Sequence, residues 1–281
     1  MTNKDLTIVI TTFRSEDKIE NCLNSIGQNI KVVLVENSNN KRFKNYIETK
    51  FINVECLLAM DNLGYGKANN IGLKKVKTKY ALILNPDTIL QKNALVNFFA
   101  FLDRKIDFAI LGPDQSEKEI PENSSYKDFK LVEVDEIKGF AIFLNMEKFS
   151  DIGFFDENFF LYLEEIDLCR RIKDLKEKIY VNSNIRIFHY GGKSVNKNLT
   201  DSIELTRNWH WMWSLFYFNK KYYGYFHALV TVSPRFISAL FKTLFYAFIL
   251  KKKKRNIYIK RLSGIANSVL GKSSWYRPSL D

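Results

Sequence analysis

Cysteine is scarce in this sequence: Cys22, Cys56 and Cys169 are the only three in 281 residues. They are odd in number and far apart, with no Cys-x-x-Cys pair. That argues against a disulfide framework and a structural zinc site, and reduced thiols in a cytosolic protein are expected. Low-complexity tracts and internal repeats are also missing, which sets aside long disordered segments and solenoids. The opening stretch MTNKDLTIVITTF has no basic n-region, apolar h-region or small-residue cleavage site, so no secretion signal is expected there. After the first apolar run stands TTFRSED, without the Gly-x-Gly-x-x-Gly of a dinucleotide fingerprint. Acidic residues are nearly absent from one end. Residues 201–281 hold 14 Lys and Arg against 3 Asp and Glu, while the first 200 hold 29 against 28. The net charge of +12 therefore belongs to the C-terminal part. A uniformly basic chain would suggest nucleic acid. A neutral body with a basic, aromatic tail points elsewhere, and no nucleic-acid-binding motif accompanies the basic run.

What is present is enough apolar surface for a large core: 46% of residues are hydrophobic and 15% aromatic. LTIVITTF (Leu6–Phe13), KVVLVE (Lys31–Glu36), FINVECLL, YALILN (Tyr80–Asn85) and DFAILGP are short, continuous apolar runs rich in β-branched residues. Between them EDKIENCLNSIG and QKNALVNFFAFL (Gln91–Leu102) have helical spacing. Buried strands alternating with helices predict an α/β fold with a mostly parallel, Rossmann-like sheet flanked by helices. In such sheets ligands bind beyond the carboxyl ends of the strands. Thr12, Glu36–Asn37, Asn62–Gly66 and Asn85–Asp87 occupy those positions. Past residue 114 the pattern loosens through a polar loop, SEKEIPENSSYKDFK, then GFAIFLN, FFLYLEEIDLCRR and IYVNSNIRIFHYGG. From about 201 the chain is aromatic and helical.

Taken singly, each polar motif reads two ways. Asp87 in ILNPDTIL is either a turn acid or a carboxylate for a divalent ion that clamps a diphosphate. DNLGYGKANNIG is either a plain strand-to-helix loop or one whose glycines bring backbone close to a nucleotide, with Asn62 and Asn70 as hydrogen-bonding groups. Glu36 is either a solvated edge acid or an acceptor for a base or ribose. His189 is either structural or a ligand. In FFLYLEEIDLCRR the apolar stripe Leu161, Leu168, Ile172, Leu175 is interrupted by Glu165. Glu164 and Asp167 share a face with Arg171 and read as a solvated or ion-paired stripe. A carboxylate aimed at an apolar face needs either a partner or a task.

Together the motifs resemble family 2 glycosyltransferases of the GT-A fold. The pieces that carry the resemblance are TIVITTF, VENS, DNLGYGKANNIG, NPD, GFAIFLNMEKFSDIGFFDENFFLYLEEIDLCRRI and RIFHYGG, over roughly residues 5 to 195. Within that family the likeness is strongest to bacterial rhamnosyltransferase-like members that build O-antigens and related glycans. The resemblance implies that Thr12 and Glu36 bind the nucleoside, and that Asn62, Gly64, Asn70 and Asn85 line the nucleotide-sugar pocket. It implies a Mg²⁺ or Mn²⁺ ion on Asp87 with His189 as a further ligand, Asn85 replacing the first Asp of the usual DxD. Glu164, Glu165 and Asp167 overlay the acidic helix start that holds the catalytic base and acceptor contacts. Arg14 stands where Asn is usual, and Glu165 where Asp is usual. The implied reaction is an inverting transfer from a nucleotide sugar, dTDP-rhamnose or a UDP-sugar, to a hydroxyl of a glycan carried on a polyprenyl diphosphate.

Residues 1–200 are expected to form the catalytic domain and 201–281 a helical extension. In VSPRFISALFKTLFYAFILKKKKR, Ser233 reads as an N-cap and Pro234 as the first helical residue. A helix from Pro234 to Leu250 would be about 25 Å long, short of the ~30 Å hydrocarbon core. It either packs on the catalytic domain or lies in the membrane interface, with KKKKR drawn to anionic headgroups. The second reading puts the protein on the cytoplasmic face of the cell membrane as a peripheral enzyme. Two other functions stay open: a sugar nucleotidyltransferase, and a non-catalytic basic adaptor on a transferase scaffold.

Overall fold

The computed structural model describes residues 3–114, 131–190 and 200–278. The polar loop expected at 116–130 and the Gly191-Gly192 turn lie outside the described residues. In chain order, β1 (Leu6–Thr12), α1 (Glu16–Ile26), β2 (Lys31–Glu36), α2 (Lys41–Lys50), β3 (Val54–Leu58), α3 (Tyr65–Leu73) and β4 (Tyr80–Leu84) alternate. Then come β5 (Thr88–Leu90), α4 (Ala94–Leu102), β6 (Ile110–Gly112), β7 (Leu131–Glu133), β8 (Ala141–Asn145) and the one-turn α5 (Phe149–Ile152). After α6 (Glu164–Asp174), β9 (Ile179–Asn182) and β10 (Ile187–His189), three long helices finish the chain: α7 (Thr200–Tyr223), α8 (Tyr225–Phe248) and α9 (Lys252–Val269).

The chain divides into two compact units, one of Met1–Phe155 with Glu165–Asn196, the other of Asp156–Glu164 with Lys197–Asp281. The first unit holds an eight-stranded sheet in the order β3-β2-β1-β4-β8-β6-β9-β7. Its β3-β2-β1-β4 half is parallel, and β8 enters antiparallel between β4 and β6. Successive residues of the parallel strands face opposite layers. Ile8 and Ile10 join one apolar cluster and Val9 another. Such two-sided burial is why these strands read as unbroken apolar runs. Ile19, Cys22, Leu23 and Ile26 of α1 all enter the first cluster, as their spacing predicts, and the helix stops at Gly27 with φ +78°. Helix α2 has only Phe43 and Ile47 to bury, and its clearest mark is Asn40, whose side chain caps the Phe43 N–H.

Three expectations change. Gln91–Leu102 is not one helix: Gln91 donates from its N–H to Arg186 O, and α4 begins at Ala94 after Asn93 in the left-handed region. Leu161 precedes α6 and Leu175 follows it exposed, so the buried stripe of that helix is Leu168 and Ile172. In the second unit, α8 starts nine residues before Pro234 and holds that proline in its interior, so Ser233 is no N-cap and instead donates to Leu229 O at 2.6 Å. Its 24 residues span about 36 Å, and α8 is the one described helix long and apolar enough to cross a membrane by length and composition.

Helix α8 packs on α7 and α9 through Ala228 and Val232, which join Met212, Phe216 and Ile265 in one cluster. Gly264 of α9 is required there, because a Cβ would lie 2.3 Å from Trp209 O. The remaining circumference of α8 is divided. Thr231, Arg235, Ser238 and Lys242 form a polar stripe. Phe226, Val230, Ile237, Phe241, Leu244 and Phe248, at helical spacing on the side away from the packed face, are all exposed.

Candidate active site

The ends of β1, β2 and β4 lie side by side, because these three strands run parallel in adjacent register. Thr12 closes β1, with its backbone O accepting from Asn37 N at 2.8 Å. Glu36 closes β2, buried and turned inward: its carboxylate accepts from Ser38 N at 3.0 Å, from the Ser38 hydroxyl and from Asn40 N at 2.5 Å. It therefore shapes the 37–40 loop rather than standing as a solvated edge acid. Asn37 fixes the next loop, donating to Asn62 Oδ1 (3.1 Å) and Gly64 O (3.2 Å) and accepting from Leu63 N (2.9 Å). Gly64, at φ +81°, turns the chain into α3.

Within α3 the glycines divide their tasks. A Cβ on Gly72 would sit 2.5 Å from Val9 Cγ1, so Gly72 lets the helix lie on the sheet. Asn70 is buried and bonds both ways to the Phe155 backbone, from its amide to Phe155 O (2.9 Å) and from Phe155 N to its Oδ1 (3.0 Å). It ties α3 to the 155 turn. Hydrogen bonds through Asn37 thus join Thr12, Asn62 and Gly64 at the strand ends beside Glu36, while Asn70 serves the contact of α3 with the 155 turn.

Asp87 sits three residues past β4, buried, and neither of its carboxylate oxygens makes a hydrogen bond. Nε2 of His189 lies 3.4 Å from Asp87 Oδ1 and 3.5 Å from the Asn85 amide nitrogen. This meeting is made by β5 and β10, which pair antiparallel with His189 opposite Thr88, and by Tyr190 N donating to Asp87 O at 3.0 Å. The imidazole is stacked on Phe140 (4.9 Å, 8° between planes), and Phe140 O accepts from Asn85 N at 2.9 Å. A carboxylate with two orphaned oxygens beside an imidazole is a hard-to-borderline donor pair. It suits a divalent cation whose remaining ligands come from phosphate and water. No third His, Cys, Asp or Glu joins them among the described residues.

The acidic helix start is sorted by the fold. Asp167 is fully buried and pairs with Arg171 (Nε to Oδ2 2.9 Å); Arg171 also donates to Ile152 O and Phe154 O. That triangle holds the 152–154 turn, so the solvated reading of this acid does not hold. Glu164 is buried as well. Glu165 is set apart by its surroundings: it is half-buried against Gly139, and burial pushes its carboxyl above the usual carboxylate range. A hydrogen bond from its own backbone N–H opposes that shift and the charge of Glu136 adds to it. Tyr162 and Leu163, just before α6, both have positive φ (71° and 68°). Two consecutive side-chain-bearing residues in that region cost about 1–3 kcal/mol each.

Sequence reasoning missed three residues here. Phe140 gave no signal, since an aromatic in GFAIFLN reads as core. Asn37 was marked only by position. Arg14, noted as a departure, has φ +51° and a buried Nε, with no hydrogen bond or ion pair among the described residues. It places a cation next to the strand ends that carry Asp87.

The pattern described as Glycosyl transferase family 2 matches residues 7–170, more than half of the chain. The chain belongs to this family. Its sequence is 26% identical over 192 residues to the low-salt glycan biosynthesis hexosyltransferase Agl10 of Haloferax volcanii, covering 60% of this chain and 62% of that protein. It is 23% identical over 224 residues to the rhamnosyltransferase WbbL of Escherichia coli K12, covering 65% and 82%. The chain thus spans less than two thirds of the length of the first of these relatives. Among solved structures, S. aureus TarS 1–349 in complex with UDP-GlcNAc superposes with TM-score 0.55 at 16% identity, covering 97% of this chain and 93% of that one. The mannosyltransferase PcManGT of Pyrobaculum calidifontis, in complex with GDP-Man and Mn²⁺, gives 0.57 at 13%, covering 96% and 88%. These likenesses show the GT-A fold. Membership of family 2 favours glycosyl transfer over the nucleotidyl transfer left open by the sequence alone.

Proposed function

We propose that this family 2 glycosyltransferase inverts the anomeric centre of a nucleotide sugar, dTDP-rhamnose in the first instance, onto a hydroxyl of a glycan carried on a polyprenyl diphosphate. The observation that carries the reading is the buried Asp87 carboxylate, without hydrogen bonds, beside His189 at the sheet's ligand end. The donor's nucleoside lies against Thr12 and the Asn62–Gly64 loop, with Arg14 reaching the diphosphate. Asp87 and His189 would hold a divalent Mg²⁺ or Mn²⁺ ion. When bound, such an ion offsets negative charge on the departing diphosphate. Glu165 takes the proton of the acceptor hydroxyl as its oxygen bonds to the anomeric carbon and the carbon–phosphate-oxygen bond breaks. A carboxyl raised by burial binds that proton better than a solvated one. Rhamnose is favoured by the sequence likeness to the rhamnosyltransferase WbbL, and a role in glycan biosynthesis by the likeness to the hexosyltransferase Agl10.

The helical unit supports a peripheral site on the cytoplasmic face of the membrane. Helix α8 is not read as spanning, because Arg235 and Lys242 lie on it and it is packed on α9, which carries Lys252, Lys253, Lys254 and Arg255 at its start. Cations in the first turn of a helix oppose its dipole, and an anionic surface relieves that conflict. The outward apolar face of α8 then lies among headgroups and upper acyl chains. The test is transfer and donor hydrolysis over a panel of nucleotide sugars, with lipid-linked and soluble acceptors. Turnover only of dTDP-rhamnose, faster on the lipid-linked acceptor, is expected. No turnover of any nucleotide sugar sinks the catalytic reading.

A further inference from the structure

Helices α7, α8 and α9 enclose a recess of about 410 Å³, within the ~300–1,000 Å³ typical of small-molecule sites. Trp211 of α7, Pro234, Arg235 and Ser238 of α8, and Tyr258 and Arg261 of α9 line it, and no lining side chain is acidic. Both guanidinium groups are held by neutral acceptors. Arg235 donates to Thr231 O at 2.9 Å and Arg261 from Nε to Asn208 Oδ1 at 2.7 Å. Neither has a carboxylate partner among the described residues. Lys242 lies 5.2 Å over the Tyr258 ring, adding a third cation beside the recess, and Arg255, one turn before Tyr258, has a buried Nε without a hydrogen-bond partner. The polar stripe of α8 that supplies Arg235 and Ser238 lies between its packed face and its exposed apolar face. A group entering the recess would be bordered by aromatic and cationic side chains on the protein side and by Phe241, Leu244 and Phe248 along the outer face of the same helix.

We infer that this recess binds the phosphate of a lipid headgroup, with the lipid's chains lying along the apolar face of α8. Guanidinium forks match phosphate oxygens, and the concave, acid-free lining excludes cationic headgroups. The inference rests on the membrane-surface reading of the helical unit. It goes beyond that reading by replacing diffuse attraction with a saturable site.

The experiment uses the full chain and phosphatidylcholine vesicles doped with phosphatidic acid, read by co-sedimentation. Arg235→Gln with Arg261→Gln should weaken binding roughly tenfold more than Lys252→Gln with Lys254→Gln, which removes equal charge outside the recess. Ser238→Phe, which fills the recess without changing charge, should weaken binding similarly and keeps the test decisive if the arginine variant fails to fold. Equal losses in the two double variants, or unchanged binding by Ser238→Phe, overturn the recess and leave membrane attraction intact. Failure of the wild type to bind any anionic vesicle overturns the membrane reading itself. Inorganic phosphate that raises the melting temperature of wild type but not of Ser238→Phe, and displaces it from vesicles at matched ionic strength, makes this a free-phosphate site and overturns the lipid. Donor hydrolysis should be unchanged in every variant, which separates this result from the catalytic reading.

Discussion

His189 Nε2 stands 3.4 Å from Asp87 Oδ1, although the two residues are about a hundred positions apart in the chain. A buried carboxylate with no hydrogen bond is costly, so the pair gains from a cation between them. Asp87→Ala should leave the fold intact and remove most transfer activity. Excess chelator should do the same to wild type, with recovery on adding Mg²⁺ or Mn²⁺. Full turnover in chelator would remove the ion from the mechanism.

Glu165 is expected to show function and stability pulling in opposite directions. Its folded carboxyl is raised by burial, so carrying its charge at neutral pH costs folding energy. Glu165→Gln should therefore keep or raise the melting temperature at pH 7 while lowering the chemical step by roughly 10²-fold or more. The acid limb of the wild-type pH–rate profile should sit above the usual carboxylate range and disappear in the variant. Near-normal turnover by Glu165→Gln would assign the base elsewhere.

Gly72 packs directly on the sheet, and its effect should be on stability alone. A Cβ 2.5 Å from Val9 Cγ1 and 3.2 Å from Val35 Cγ2 must push α3 off the sheet. Gly72→Ala should cost about 1–3 kcal/mol in denaturant unfolding, with the Michaelis constant for the donor little changed. A neutral substitution would show that α3 shifts freely.

His210 should make the helical unit acid-sensitive. It is buried, its Nε2 donates to Tyr276 O at 2.7 Å, and burial lowers its pKa to about 3. The unfolded chain takes up a proton near the ordinary imidazole value, about 6.5, while the folded chain does not. Its contribution is fully present above that pH and is lost as pH falls toward about 3, by up to ~1.4 kcal/mol per pH unit. His210→Gln should flatten this slope in fluorescence-monitored unfolding. An unchanged slope would place the acid sensitivity in the carboxylates.

Local pattern alone determined the parallel half of the sheet, helix α1 and the strand-end positions of Thr12, Glu36 and Asp87. Continuous β-branched runs have few other ways to bury themselves, and chemistry collects where such strands stop. The same pattern could not separate Glu164, Glu165 and Asp167, which differ by one or two positions on a single helix. Arg171 and Gly139 sorted them, giving Asp167 a structural ion pair and setting Glu165 against Gly139 with its carboxyl raised by burial. Nor could spacing bring His189 to Asp87, because β5 and β10 are three-residue strands whose pairing closes a loop of nearly a hundred residues. Such pairings are favourable only once the sheet exists to support them, so they are properties of the folded chain and leave almost no local trace. The start of α8 was hidden for a related reason. Pro234 looks like a beginning in isolation, and only packing against α7 and α9 makes it an interior residue.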